Sequence, residues 1–258
     1  MQISCPEKHH GEKMEYKSKE KKAEICIEWL WDVLFPRRCP LCDRVLRFRK
    51  ETICPSCLQK VPFIRSPTCM KCGKGLEEEA EYCQDCRRKR HLYRQGAAVF
   101  EYGPMASSIY RFKYGGRQEY AMFFGTCMAS ALGGRMRRWR VQALVPVPIH
   151  SSRKRKRGYN QAKLLAEVIS RQTGIPVRDD LIARRKKTVP QKDLDEKQRQ
   201  NNLKRAFKIL RNDVKLDTIL IIDDIYTTGS TIDAMTTALH AAGVSRVYFA
   251  ALAIGNGL

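Results

Sequence analysis

The chain has 258 residues, enough for one sizeable α/β domain with a small module beside it. Lysine and arginine number 49 against 27 acidic residues, and the formal charge of +22 points to a polyanionic partner such as nucleic acid, anionic lipid or polyphosphate. No apolar run approaches bilayer-spanning length and no GxxxxGK[ST] occurs, which argues against a membrane-spanning protein and a P-loop nucleotide hydrolase.

Residues 1–22 are charged throughout and lack the apolar centre of a signal peptide, so a disordered tail on a cytoplasmic protein is expected. Cys5, His9 and His10 belong to that tail rather than to a metal site. Residues 23–36 predict a short helix with Ile25, Trp29 and Val33 on one face and Pro36 at its end. That face suits docking onto a core or a partner. Peripheral attachment to the inner face of the cell membrane, aided by the basic tail, is the alternative.

Residues 37–90 carry four Cys-x-x-Cys pairs: Cys39/Cys42, Cys54/Cys57, Cys69/Cys72 and Cys83/Cys86, with gaps of 11, 11 and 10 residues. A reducing compartment disfavours disulfides and turns paired cysteines towards metal. Two thiolate pairs close one tetrahedral structural site, so two zinc ions are expected, and they would lower the net charge to about +18. Joining first with second and third with fourth pair makes sequential ribbons; joining first with third and second with fourth makes a cross-brace. So short a segment buries little apolar surface, and metal would supply its fold. Basic residues lie among and beside the pairs, including Arg37, Arg44, Arg47, Lys71, Lys74 and Lys89, whereas aromatics are few (Phe48, Phe63, Tyr82). This favours contact with a phosphate backbone over base stacking.

Residues 91–258 alternate strands (97–102, 143–147, 207–210, 218–222, 247–254) with helices (104–113, 120–138, 160–172, 232–242). The alternation predicts an α/β domain with a doubly wound, mostly parallel sheet. Cys127, within an apolar helical stretch, is expected in the core. The run from Val145 to Gln161 reads as a basic loop in which Arg153, Arg155 and Arg157 converge on a polyanion, Tyr159 adds a stacking face and Gln161 an amide.

The segment Leu220–Thr231 has a strand, two carboxylates (Asp223, Asp224) at its end, a small hydroxyl-rich loop, and a helix capped by Ser230 or Thr231 that stops at Gly243. In an open α/β sheet that corner binds ligands, and a helix N-terminus there favours phosphate. Gly229 permits the tight turn, Thr227, Thr228, Ser230 and Thr231 offer hydroxyls, and the carboxylates can accept from a ribose diol. The pattern resembles the signature of the type I phosphoribosyltransferases, which bind 5-phosphoribosyl-1-pyrophosphate. By that resemblance Asp223 and Asp224 would hold the ribose hydroxyls and Thr227–Thr231 the 5′-phosphate.

More of the chain resembles the ComF family of late-competence proteins, which pair an N-terminal zinc finger with a phosphoribosyltransferase-like domain. The resemblance rests on the cysteine pairs, on Phe112-Lys113-Tyr114-Gly115-Gly116, and on His150-x-x-Arg-x-Arg-x-Arg-Gly-Tyr-Asn-Gln161. It continues through Thr188-x-x-Gln191-x-x-Leu194, Arg199-x-x-Asn202-Leu203, Phe207 and the diacid loop. The resemblance implies Mg²⁺ bridging the diol and pyrophosphate, and cations on the departing pyrophosphate, for which Lys113, Arg153, Arg155, Arg157 and Arg199 are the candidates. It also implies a mobile loop over 184–205 that excludes water. The implied role is DNA uptake in natural transformation, with single-stranded DNA and a competence helicase at the inner membrane as partners. A metabolic phosphoribosyltransferase of nucleotide salvage is the alternative, and a pocket that binds without turnover a third reading. No residue pattern identifies an acceptor or a catalytic group.

Overall fold

The computed structural model describes residues 36–48, 50–184, 206–211 and 215–255. The expected tail, nearly all of the expected helix at 23–36, Arg199 and nearly all of the expected mobile loop lie outside those residues.

In chain order the elements are α1 (Pro55–Leu58), α2 (Gln84–Arg88), β1 (Gln95–Glu101), α3 (Tyr102–Tyr114), α4 (Tyr120–Arg138), β2 (Ala143–Pro146) and α5 (Ser151–Arg157). They continue with α6 (Gln161–Thr173), β3 (Ile182–Arg184), β4 (Phe207–Ile209), β5 (Thr218–Tyr226), α7 (Ser230–Ala241) and β6 (Arg246–Ile254). Four strands form one sheet in the order β1-β6-β5-β2, and every pairing is parallel. The expected strand at 207–210 does not join it: β4 pairs antiparallel with β3, a strand the sequence reading did not include.

Side-chain alternation along the buried strands divides the core. Leu220, Ile222, Ala250 and Leu252 face a layer built from α3, α4 and α6, with Phe112, Phe124, Leu165 and Ile169 among its buried residues. Ile219, Ile221, Phe249 and Ala251 face the opposite layer, where α7 supplies Ile232, Met235 and Leu239. Cys127 is buried in the first layer, as expected.

The cysteine-rich module straddles edge strand β1. Leu41, Ile53 and Val61 of its first half pack on the α3/α4/α6 layer, whereas Cys69, Cys72 and Cys83 of its second half join the α7 layer. Between the halves, Ile64 N–H donates to Val99 O at 2.9 Å and Phe63 bridges Phe100 across the open edge. An edge that would otherwise invite pairing with another chain is thereby covered.

The diacid placement differs from the sequence reading. β5 does not end at Asp223; it stays paired with β6 as far as Tyr226 opposite Ile254. The shorter β2 stops at Pro146, opposite Ile222. Asp223 and Asp224 therefore lie just past the end of β2, in the crevice where open parallel sheets take ligands.

Candidate functional site

The eight cysteines form two clusters, Cys39/Cys42/Cys54/Cys57 and Cys69/Cys72/Cys83/Cys86, with all ligand atoms of each within 4.8 Å of one another. The pairing is sequential, not a cross-brace. Cys42 and Cys54 sulfurs lie 3.8 Å apart and Cys72 and Cys83 sulfurs 3.7 Å, close to the edge of about 3.8 Å that a zinc tetrahedron with 2.3 Å bonds requires. The two halves repeat one design. The first cysteine donates to the carbonyl of Arg44 or Lys74, and the residue after the second cysteine turns left-handed, Asp43 at φ 59° and Gly73 at φ 77°. Only glycine fits at the latter, because a Cβ on Gly73 would come within 2.6 Å of Ala97 Cα. These are two structural zinc sites. The first is anchored by Arg111, which donates to Pro40 O and Leu41 O, and by Tyr120, which donates to Asp43 Oδ1 at 2.6 Å.

At the end of β5, Asp224 pairs with Lys113 from the last turn of α3 at 2.9 Å, and its backbone N–H donates to Asp223 Oδ1 at 2.8 Å. Burial, followed by the Asp224 charge, pushes Asp223 up to about 8, while Lys113 and Arg184 pull it back. Arg184, at the end of β3, stacks over Phe207 with its guanidinium 5.7 Å from the ring. Burial first and Arg153 second lower its basicity, and Asp223 opposes them. Two carboxyl groups and the cations Lys113 and Arg184 thus gather at one corner, and the exposed Arg153 is near enough for its charge to bear on Arg184. Sequence reasoning placed Arg184 in the mobile loop, but it belongs to a strand.

One loop further on, Thr227 and Thr228 are exposed and Thr228 and Ser230 hydroxyls lie 3.0 Å apart. The helix cap is Gly229, not Ser230 or Thr231, and α7 begins at Ser230. Gly229 has φ 71°, and a Cβ there would meet Tyr226 Oη at 2.5 Å and His91 Cε1 at 2.8 Å. The floor of the loop comes from the segment leaving the second zinc site. Lys89 Nζ donates to Thr228 O and Ser230 Oγ, both at 3.2 Å. His91 Nδ1 lies 2.9 Å from Asp233 Oδ2, and Leu92 N–H donates to Asp233 Oδ1 at 2.9 Å. The sequence reading assigned no role to His91 or Asp233, which lie 142 positions apart and have no local signature.

The basic run is a helix rather than a loop. The His150 side chain accepts from Ser152 N–H at its start, and Gly158 closes it in the left-handed region. Three arginines two apart therefore cannot all converge. Arg153 and Arg157 share a face and Arg155 points away from it. Arg157 is held by Tyr114, donating to its hydroxyl at 2.8 Å with the guanidinium 4.6 Å from the ring, and by Gln161 Oε1 at 3.1 Å. Tyr159 is not a stacking face: it is 6% exposed and its hydroxyl donates to Phe112 O. The exposed aromatic surface belongs to α3 instead, where Tyr110 (64% exposed) and Tyr114 (53%) lie one turn apart with ring centroids at 5.1 Å. Their spacing of four in a helix beside Lys113 was the signal available in the sequence.

Residues 30–87 match the double zinc ribbon domain family, and residues 156–257 match the phosphoribosyl transferase domain family. Competence protein F of Haemophilus influenzae is 29% identical over 219 residues, covering 83% of this chain and 95% of its own length. Competence protein ComFC of Bacillus subtilis is 31% identical over 192 residues, 70% of this chain and 75% of its own. DNA utilization protein YhgH of Escherichia coli is 28% identical over 216 residues, with coverage of 82% and 94%.

Proposed function

The chain belongs to the ComF family of competence proteins, and from that premise we propose that it handles single-stranded DNA during DNA uptake and carries a magnesium-dependent site for 5-phosphoribosyl-1-pyrophosphate. The observation that carries the sugar-phosphate reading is the diacid corner itself. Asp223 and Asp224 stand past the end of β2, one loop before the glycine-capped N-terminus of α7, with Lys113 salt-bridged to Asp224. Carboxylates accept hydrogen bonds from vicinal hydroxyls, and the loop Thr227–Thr231 offers hydroxyls and unpaired N–H groups to a phosphate. The oxygen-only donor set suits Mg²⁺, which would supply neutralisation of pyrophosphate charge when bound. Lys113, Arg153 and Arg184 would stabilise the negative charge of a departing pyrophosphate.

The DNA reading rests on the surface beside this corner. Tyr110 and Tyr114 present exposed rings, Arg157 stacks on one of them, and Arg153, Lys154, Arg155 and Lys156 add positive charge along α5. Aromatic platforms in a positive field bind single strands without base readout. No helix among the described residues is long and apolar enough to cross a membrane.

Titration with a labelled oligothymidylate at several salt concentrations tests this. Replacing Arg153 and Arg157, which share one face of α5, with Ala flattens the slope of log affinity against log salt by roughly 1.4, near 0.7 per lost phosphate contact on a single strand. Tyr110→Ala leaves the slope unchanged and weakens binding by about 1–3 kcal/mol. Variants that keep both the slope and the affinity contradict this DNA face. Turnover of a free purine or pyrimidine base without DNA would favour the salvage reading.

A further inference from the structure

We infer that the second zinc ribbon is a working part of the sugar-phosphate site, because Lys89, just beyond its last ligand, neutralises Asp233 while His91 hydrogen-bonds it, and together they make the α7 N-terminus fit to receive a phosphate. The inference rests on the sugar-phosphate reading above and adds to it a positioning role for residues outside the matched transferase domain.

Asp233 lies in the first turn of α7, the same turn that would face a phosphate. A free carboxylate there is favourable for the helix, because it answers the dipole, but it competes with any incoming anion for the same positive potential. Here its charge is absorbed from below. Its Oδ2 lies 2.9 Å from His91 Nδ1 and 3.7 Å from Lys89 Nζ, and its Oδ1 accepts from Leu92 N–H. Each oxygen has a partner, and all the partners come from residues 89–92, three to six positions past Cys86.

The same segment shapes the loop. Lys89 holds Thr228 O and Ser230 Oγ, and the imidazole of His91 lies where a Gly229 Cβ would be. The His91 side chain is only 2% exposed, and its Nε2 lies 3.4 Å from Tyr226 Oη, which in turn meets Tyr93 Oη at 2.6 Å. With Nδ1–H donating to Asp233, Nε2 accepts from Tyr226 and Tyr226 accepts from Tyr93, so every polar atom of this buried chain is used. Lys71, between the ligands Cys69 and Cys72, donates to Tyr93 O and Arg94 O and lies over the Tyr93 ring. The loop is thus tied to the ribbon from both sides of the second cysteine cluster.

A charge-reversal logic distinguishes this from packing. The probe is ribose 5-phosphate, which carries only the phosphate the loop would hold, titrated calorimetrically into the full-length zinc-loaded protein. Lys89→Gln weakens binding on the order of tenfold, because Asp233 is left under-compensated beside the anion. Lys89→Arg retains binding. Adding Asp233→Asn to Lys89→Gln restores affinity to within about threefold of wild type, which loss of a merely structural contact would not do. Zinc content and thermal midpoint, read alongside, establish that each variant is folded. Unchanged affinity in Lys89→Gln, or a double variant weaker than Lys89→Gln, overturns the inference while leaving the sugar-phosphate site standing. Absence of binding by the wild type to both ribose 5-phosphate and 5-phosphoribosyl-1-pyrophosphate overturns both.

Discussion

Asp223→Asn is expected to stabilise the ligand-free protein at pH 9 and, in the same molecule, to abolish magnesium-dependent binding of 5-phosphoribosyl-1-pyrophosphate. The reason lies in the balance of forces on one carboxyl group. Burial, and after it the charge of Asp224, raises Asp223 to about 8, against roughly 4 for an aspartate in an unfolded chain. The folded state therefore binds the proton more tightly than the unfolded state does. The stability from this group is fully present below about pH 4, declines between about 4 and 8, and is gone above 8. Asparagine has the same shape, keeps an oxygen to accept from the Asp224 N–H, and carries no charge. Thermal melts at pH 6 and pH 9 should show the advantage of the variant growing by about 3 kcal/mol over that interval. An advantage that does not change with pH would mean that Asp223 ionises freely in the folded protein. A part-buried carboxylate kept at such cost is the pattern expected of a functional site, where stability is traded for chemistry.

The second large effect concerns zinc, and the two ribbons should differ. Cys72→Ser removes a ligand that is 1% exposed, in a cluster packed against the α7 layer and, through Gly73, against β1. Cys42→Ser removes a ligand on the exposed side of the first cluster. Each variant should drop the zinc content by about one ion per chain, as read by elemental analysis. Cys72→Ser should lower stability by about 3–5 kcal/mol, roughly 10 °C or more in thermal midpoint for a chain of this size. Loss of the second ribbon also uncovers the edge strand and promotes aggregation on heating. Cys42→Ser should cost less, because Arg111 and Tyr120 still hold the first ribbon on α3 and α4. Equal midpoints for the two variants, or two zinc ions retained in either, would contradict this account.

What the sequence disclosed was what is written locally. The cysteine pairs show the zinc sites because each pair clamps half a tetrahedron within four residues. The run from Leu220 to Thr231 shows strand, diacid, loop and helix in consecutive order, and the helix at 120–138 coincides with α4. Where the sequence reading failed or left a choice open, a distant partner or a competing local signal decided the outcome. The spacing left sequential and crossed pairing of the cysteines open; the structure pairs them sequentially, with the inter-ribbon segment lying along β1. The basic run became α5 because a His150 cap and Gly158 bracket it, signals that were present but outweighed by the alternation of arginines. Tyr159 looked like a surface ring beside arginines, yet packs against Phe112 with ring centroids at 6.1 Å. The contacts of Lys89, His91 and Asp233 link positions about 140 apart and could come only from the fold.

The central claim is that the diacid corner binds 5-phosphoribosyl-1-pyrophosphate. Its most direct test is calorimetric titration of the purified zinc-loaded protein with that ligand, with and without Mg²⁺, beside the Asp223→Asn/Asp224→Asn double variant. Binding that requires Mg²⁺ in the wild type and vanishes in the folded double variant is the predicted result. Absence of binding by the wild type, or equal binding by both proteins, would contradict the assignment and leave single-stranded DNA as the ligand to pursue at the neighbouring aromatic and basic face.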